Sequence, residues 1–356
     1  MTDRPAGVTS RPPPHPPRRP SFRPWRPDAG GPSATALSAA LAPAALLYGA
    51  VAARRLRTAR PAPSPLPTIG VGSPVAGGAG KTPTALALGR AALAMGLAPG
   101  FLARGHGRET SGTLRVDPAR HAARDVGDEP LLLAALGPTV VSVDRAEGAG
   151  ALAGACDLIV MDDGFQSRRL QADPWLLVVD GAAGIGNGRC LPAGPLRAPL
   201  PAQIAAADAL AVVDSGRGTA GTEPVAAMAS ARGLPVYAGH VEPLGDWRGR
   251  EVAAFSGLAD PAKFLATLER AGARVVASLA FPDHHAFTAR DLDAIRRLGE
   301  AAPLVTTAKD AARLDHDAPA HEVLRIELRF APGAAEELIE RAIAAHGSAQ
   351  VRSISS

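Results

Sequence analysis

Gly77-Gly78-Ala79-Gly80-Lys81-Thr82 stands between the apolar run Pro67-Thr68-Ile69-Gly70-Val71-Gly72 and a helical pattern over residues 83–95. Strand, glycine-rich turn and helix in that order read as a phosphate-binding loop. Glycines let the backbone aim its N–H groups at an anion, the helix presents its positive end, Lys81 adds a mobile cation, and Thr82 offers a hydroxyl to Mg²⁺. ATP or GTP is the ligand these residues suit. The usual spacing has a further glycine at position 75, where this chain has Val75. A glycine-rich turn can also join strand to helix without binding anything, but the strand before, the helix after and the three glycines together favour the phosphate reading. Pro83 fits the first helical turn, where no N–H donor is needed.

Outward from this loop, strand-like runs at 68–71, 139–143, 158–161, 175–179, 209–213, 252–255, 274–280 and 304–306 alternate with helical ones at 84–95, 129–136, 261–271, 289–298 and 334–345. That alternation is the signature of a parallel sheet covered by helices. The fold expected is α/β: a P-loop NTPase-like parallel-sheet lobe over 61–178, a second, smaller α/β lobe over 179–346, and a tail over 347–356. The Gly/Pro-rich stretch 181–201 breaks the alternation, as a passage between lobes or as a long substrate-facing loop.

The N-terminal segment differs from the rest. Residues 1–32 hold ten prolines and six arginines with almost no large aliphatic side chains, which predicts a disordered leader. Residues 33–60 include Pro-Ala-Ala-Leu-Leu-Tyr-Gly-Ala-Val-Ala-Ala-Arg-Arg-Leu-Arg from Pro43 to Arg57, where Leu47, Tyr48 and Val51 can share one helical face and Arg54, Arg55 and Arg57 close the end. This predicts an amphipathic helix lying in a membrane interface or packed on its own domain, rather than a span, because the run is mostly alanine and is interrupted by Pro43 and Gly49. The charge agrees. Residues 1–60 carry ten Arg against Asp3 and Asp28, a charge of +8, so the remainder carries −4 of a total of +4. A basic segment beside an apolar helix suits an anionic membrane surface, whereas nucleic-acid binding would call for a basic stripe on a folded face. Aromatics at 4% also disfavour base-stacking surfaces, and Cys156 and Cys190 give neither a zinc spacing nor a disulfide framework.

Several further groups can carry chemistry. Leu158-Ile159-Val160-Met161-Asp162-Asp163-Gly164 is an apolar strand ending in two carboxylates, which could cap a turn; downstream of a phosphate loop it is the place to hold Mg²⁺. Gly127-Asp128-Glu129-Pro130 could be an acidic helix cap or could supply a general base. Phe281-Pro282-Asp283-His284-His285 suits proton handling or metal ligation. Arg104, Arg145, Arg168, Arg169, Arg189 and Arg197 are each more often solvated, but several on strand-to-helix loops can bind an anionic substrate group or the transferring phosphoryl.

In order and identity these segments resemble the tetraacyldisaccharide 4'-kinase family, the lipid A 4'-kinases of Gram-negative bacteria, from about residue 46 to about residue 314. The most specific pieces are Val160-Met161-Asp162-Asp163-Gly164-Phe165-Gln166, Val179-Asp180-Gly181, Gly184-Ile185-Gly186-Asn187-Gly188-Arg189 and Leu191-Pro192-Ala193-Gly194-Pro195-Leu196-Arg197. Thr306-Thr307-Ala308-Lys309-Asp310 also matches. The resemblance implies two lobes closing around ATP and Mg²⁺, an N-terminal helix seated at the cytoplasmic face of the inner membrane, and transfer to the 4'-hydroxyl of a lipid disaccharide 1-phosphate. No obligate protein partner is implied. By motif, Gly77, Gly78, Ala79, Gly80, Lys81 and Thr82 would hold the nucleotide, and Thr82, Asp162 and Asp163 the metal side. Asp128 would accept the sugar hydroxyl proton with His284, rather than His285, as its partner from the second lobe; Lys81 would join them in catalysis, and Arg104, Glu129, Arg145, Gln166 and Arg197 would face substrate.

This chain departs from the family pattern at His106, where Tyr is frequent, at Ser167, at Ala198 and at Ala308, the last two in place of Glu. The alternatives are a P-loop kinase or NTPase with a soluble substrate, and a nucleotide-binding regulatory module that has lost catalysis.

Overall fold

The computed structural model describes residues 32–354; the Arg/Pro leader, apart from Pro32, lies outside the described residues. The strands are β1 (Thr68–Gly72), β2 (Pro99–Ala103), β3 (Leu114–Arg115), β4 (Thr139–Val141), β5 (Leu158–Asp162), β6 (Trp175–Asp180), β7 (Ala209–Asp214), β8 (Val236–Leu244), β9 (Glu251–Ser256), β10 (Arg274–Ala280), β11 (Leu304–Thr307) and β12 (Glu322–Phe330). They form one sheet in the order β10-β9-β11-β12-β8-β7-β6-β1-β5-β2-β4-β3. Pairing is parallel except between β8 and β12 and between β3 and β4. β1, β2, β5 and β6 are buried at every residue, as strands covered on both faces must be, which is why they read as continuous apolar runs.

Two apolar clusters cover the faces of the sheet around β1. One joins Met161, Phe165, Trp175 and Leu177 to Leu56 and Ile204. The other joins Ile69, Val71, Leu88 and Phe101 to Leu338 and Ile339 of the C-terminal helix Ala334–Ile354. Glycine in β1 has a packing reason, since a Cβ at Gly70 would lie 2.2 Å from the Trp175 ring. Two smaller clusters sit on β9 and β11, one around Trp247, Phe264 and Leu268 and one around Phe255 and Ile295.

The division expected at residue 179 falls inside β6, which pairs with β1 on one side and β7 on the other. Residues after 179 therefore return to the phosphate-loop sheet through β7, β8 and the C-terminal helix, and the smaller lobe comprises roughly residues 245–324. β12 serves both lobes: Glu322–Leu324 pair with β11, and Arg325–Phe330 pair with β8. Chain order and sheet order differ in a parallel sheet, so a Gly/Pro break in the sequence pattern does not mark a lobe boundary. The expected tail from 347 is helical through Ile354. The stretch 181–201 lies along the phosphate loop, with Ala76 N–H donating to the Pro195 carbonyl at 2.8 Å and Val75 bridging Leu196. Val75 is 8% exposed within the core, which accounts for an apolar residue where glycine is usual.

Helices Pro32–Ala40 and Ala42–Thr58 precede the sheet. The second buries Ala45, Gly49, Ala53 and Leu56 and packs on helix Leu200–Ala206, while Leu46 (76% exposed), Leu47 (69%) and Val51 (44%) form an apolar face open to solvent. None of the described helices is long and apolar enough to cross a membrane.

Candidate active site

Helix Lys81–Ala94 follows β1 directly, and its N-cap is Gly80, left-handed at φ 90°. That geometry is open to glycine at no steric cost and lets the loop wrap around the helix N-terminus. Thr82 and Lys81 sit in the first turn. Thr82 Oγ1 donates to Asp162 Oδ2 at 2.8 Å, and Lys81 Nζ lies 3.8 Å from Asp163. Burial lowers the pKa of Lys81 despite the opposing pull of Asp163, and Arg197 adds to the lowering.

Asp162 ends β5 beside β1 and is 4% exposed. Its Oδ1 is buried without a hydrogen-bond partner. Burial, with Asp163 and Glu129 nearby, pushes its carboxyl up to about 6 against the pull of Lys81 and Thr82. A carboxylate oxygen left bare in a dry site, next to a hydroxyl and a helix N-terminus, fits a hard divalent cation and is costly without one. Asp163 takes a left-handed φ of 55°, an uncommon conformation outside glycine that clusters at functional sites. This turns its carboxylate toward Arg197, whose two terminal nitrogens donate to it at 2.8 and 3.2 Å. Burial would raise Asp163, but Lys81 and Arg197 hold it below the usual range.

Gln166 is committed to protein groups: its Nε2 donates to the Ser73 carbonyl at 2.8 Å and its Oε1 accepts from Arg197 at 3.1 Å. It lines the cleft and holds Arg197 beside the loop. Arg145, 3% exposed, opens the helix after β4, and burial brings its pKa down to about 10. Arg104 follows β2 and is exposed at the cleft.

Facing the phosphate loop is a second set. Asp128 begins helix Asp128–Ala134 and is 6% exposed. His284 Nδ1 is 3.1 Å from its Oδ2, so the histidine of the smaller lobe does meet Asp128, over a separation of 156 residues. His284 is itself left-handed at φ 55°. His285 is occupied elsewhere, 2.9 Å from Asp291 and stacked on Phe281. The His106 ring meets His284 edge-on at 6.0 Å, so this departure from the family pattern lies against the candidate proton-handling pair.

Two further cations were not singled out in the sequence. Arg313 Nε donates to Asp128 Oδ2 at 2.8 Å, and Lys309 Nζ pairs with Glu129. Burial would raise Asp128, but hydrogen bonds and charge from His284 and Arg313 bring it down to about 2. The hydrogen bond to Asp128 raises His284 in turn, against burial. Asp128, Glu129 and His284 are close enough to hold a metal ion. Yet the two carboxylates already face a guanidinium and an ammonium, so a cation there would have to displace Arg313 and Lys309. The only cue to Arg313 in the sequence is its place three residues after Asp310, which it also pairs with at 3.2 Å.

Both sets line one cleft of about 2470 Å³ that reaches Arg55 and Thr58 at the end of the second N-terminal helix. Sites for drug-sized ligands are typically about 300–1,000 Å³, so this cleft has room for a nucleotide and a large second substrate together.

A glycine-rich loop between a central parallel strand and a helix, a bare carboxylate beside its threonine, and a buried aspartate paired with a solvent-accessible histidine across the cleft define a P-loop phosphotransferase. The tetraacyldisaccharide-1-P 4'-kinase family profile matches residues 37–344. The chain is 47% identical over 334 residues to the tetraacyldisaccharide 4'-kinase of Methylorubrum extorquens strain PA1, covering 92% of this chain and 95% of that one. It is 50% identical over 326 residues to that of Methylobacterium nodulans, covering 88% and 94%. A crystal structure described as the "apo" form of LpxK from Aquifex aeolicus in complex with ATP superposes with a TM-score of 0.67 at 28% identity, covering 86% of this chain and 99% of the other. This chain belongs to the tetraacyldisaccharide-1-P 4'-kinase family.

Proposed function

We propose that this protein transfers the γ-phosphoryl group of ATP to the 4'-hydroxyl of a tetraacyldisaccharide 1-phosphate, a step of lipid A biosynthesis. The observation that carries the reading is the opposition, across one cleft, of the Lys81–Thr82–Asp162 set and the Asp128–His284 pair. The hydroxyl oxygen forms a bond to the γ-phosphorus, the bond from that phosphorus to the β,γ-bridging oxygen breaks, ADP leaves, and the hydroxyl proton passes to Asp128. Loop N–H groups and Lys81 hold the phosphates, while Arg197 and Arg145 add positive charge at the cleft.

Thr82 and Asp162 are the residues that would hold Mg²⁺, and Asp163 would support them beside Lys81 and Arg197. When bound, the ion neutralises charge on the β- and γ-phosphates. A carboxylate held near 2 is a weak base, which limits what Asp128 contributes. In a loose transition state the hydroxyl loses its proton late, so the larger contribution of Asp128 is to accept the hydroxyl hydrogen bond and orient the nucleophile.

The lipid acceptor fits the mouth of the cleft. Leu46, Leu47 and Val51 project apolar area beside Arg54, Arg55 and Arg57, and Arg55 lines the cleft itself. We read this helix as seated in an anionic membrane surface, the cytoplasmic face of the inner membrane, with no span. The test is transfer of labelled γ-phosphate from ATP and Mg²⁺ to detergent-dispersed tetraacyldisaccharide 1-phosphate. The parent should make a bisphosphorylated lipid and Lys81→Ala should not; measurable ATP binding without transfer by the parent would sink the reading.

A further inference from the structure

Arg313 belongs to the smaller lobe, yet its side chain is 7% exposed and its guanidinium is divided between the lobes. Nε donates to Asp128 Oδ2 at 2.8 Å, with Nη2 at 2.7 Å from the same oxygen. On the other side Nη1 donates to Asp310 Oδ1 at 3.2 Å. Asp310 is itself fixed, because Oδ1 also accepts from Gly257 N–H at 3.0 Å and Oδ2 accepts from Thr307 Oγ1 at 2.6 Å. The guanidinium is thus anchored to a buried turn of one lobe and grips a carboxylate of the other. Both side-chain partners of Asp128, His284 and Arg313, end on Oδ2. Among the described residues no hydrogen bond reaches Oδ1, and Asp128 lines the cleft.

We propose that Arg313 is a positioning residue for phosphoryl transfer: by holding Oδ2 from an anchored fork, it presents Asp128 Oδ1 to the acceptor hydroxyl only when the two lobes meet. The proposal rests on the reading of Asp128 as acceptor of that proton. A planar guanidinium tied through Nη1 to Asp310 and through Nε to Oδ2 fixes where that oxygen sits, which a lysine ammonium with a single nitrogen cannot do. Charged and titratable groups around Asp128 are His284, Arg313, Glu129 and Lys309, with Asp310 behind Arg313 and Asp283 beside His284. Arg313 and His284 are the cations in contact with Asp128, so loss of Arg313 moves the titration of Asp128 toward higher pH.

The experiment compares parent, Arg313→Gln, Arg313→Lys and Asp128→Asn in steady-state phosphoryl transfer at pH 5.5 and pH 8, at saturating ATP and Mg²⁺. Fluorescent-nucleotide binding and thermal unfolding of each variant accompany the kinetics. Arg313→Gln should lose on the order of 10²-fold in kcat, the scale of a misplaced catalytic group, with lipid KM and nucleotide affinity near those of the parent. Its activity at pH 5.5 relative to pH 8 should fall below the parent's ratio, a change that a merely structural role does not produce. Arg313→Lys keeps the charge and serves if the glutamine variant does not fold. It should lose kcat while keeping the parent's pH ratio. An inactive Asp128→Asn beside an Arg313→Gln with the parent's pH ratio, or Arg313→Lys with the parent's kcat, overturns the proposal alone. Asp128→Asn with parental turnover overturns the reading beneath it, and the proposal falls with that reading.

Discussion

The two walls of the cleft are built in opposite ways. The phosphate wall is built at short range in space: Gly77 to Thr82 come from one turn, Asp162 ends β5, the strand hydrogen-bonded to β1, and Asp163 follows it. Its parts are held at short range by a sheet buried on both faces. The acceptor wall is assembled from afar, with Asp128 meeting His284 over 156 residues and Arg313 over 185, and with Lys309 meeting Glu129 over 180. One wall is preformed by the sheet, whereas the other exists only while the smaller lobe sits against the larger. On the proposed reading that difference would limit unproductive ATP hydrolysis, since the group proposed to orient the nucleophile is held across the lobe contact.

The largest expected effect tests the phosphate wall. Asp162→Asn should lower kcat on the order of 10³-fold, as removal of a metal-holding carboxylate removes charge stabilisation from the transition state. The same variant should be more stable than the parent in the absence of Mg²⁺. Burial raises the Asp162 carboxyl to about 6, so the folded chain binds that proton more tightly than the unfolded chain. The cost of the buried charge is fully present above pH ~6 and is relieved as pH falls toward ~4. Thermal unfolding at pH 8 should therefore show the variant higher by roughly 2–4 °C per kcal/mol of relieved cost, with a smaller gap at pH 5. Mg²⁺ should stabilise the parent and leave the variant unmoved. Equal stabilisation of both by Mg²⁺ would remove Asp162 from the metal site.

A smaller effect separates neighbours on the acceptor wall. His284→Ala should lose about 10²-fold in kcat, within the range for groups that handle protons. His285→Ala should stay within about threefold, because its partners are Asp291 and Phe281 rather than Asp128. Equal losses would mean that the lobe contact, not the imidazole at Asp128, is what matters.

The smallest effect on chemistry comes from the apolar face that brings the lipid in. Leu46→Glu with Leu47→Glu should leave kcat on detergent-dispersed substrate within about twofold, since both side chains are exposed and neither lines the cleft. In flotation with vesicles of anionic phospholipid the variant should lose membrane association, as each buried leucine is worth about 1.5–3 kcal/mol. Flotation equal to that of the parent would assign the helix to packing alone.

Much of this was legible in the chain. The phosphate loop, the Asp162–Asp163 strand end and the parallel sheet could be read because a strand, a turn and a helix N-terminus are short-range devices with their own residue preferences. The lobe boundary was not, because β7, β8 and the C-terminal helix rejoin the first sheet after a Gly/Pro stretch that looks like an exit. β12 escaped notice as well; its Glu-Val-Leu-Arg-Ile-Glu-Leu-Arg-Phe run alternates, as suits a strand shared between lobes rather than a buried one. Gln166, expected to face substrate, lines the cleft and is also held by Arg197 and Ser73, contacts that the sequence did not indicate.

By itself the sequence determined that Gly77 to Thr82 would lie between a strand and a helix and that Asp162 would end another strand, because such short-range devices carry their own residue preferences. Only the tertiary structure decided that His284 and not His285 reaches Asp128, that Arg313 grips the same carboxylate oxygen, and that Lys309 takes Glu129. Those choices depend on how one lobe packs against another, and a buried charge is settled by whichever opposite charge the packing brings to it, at whatever distance along the chain.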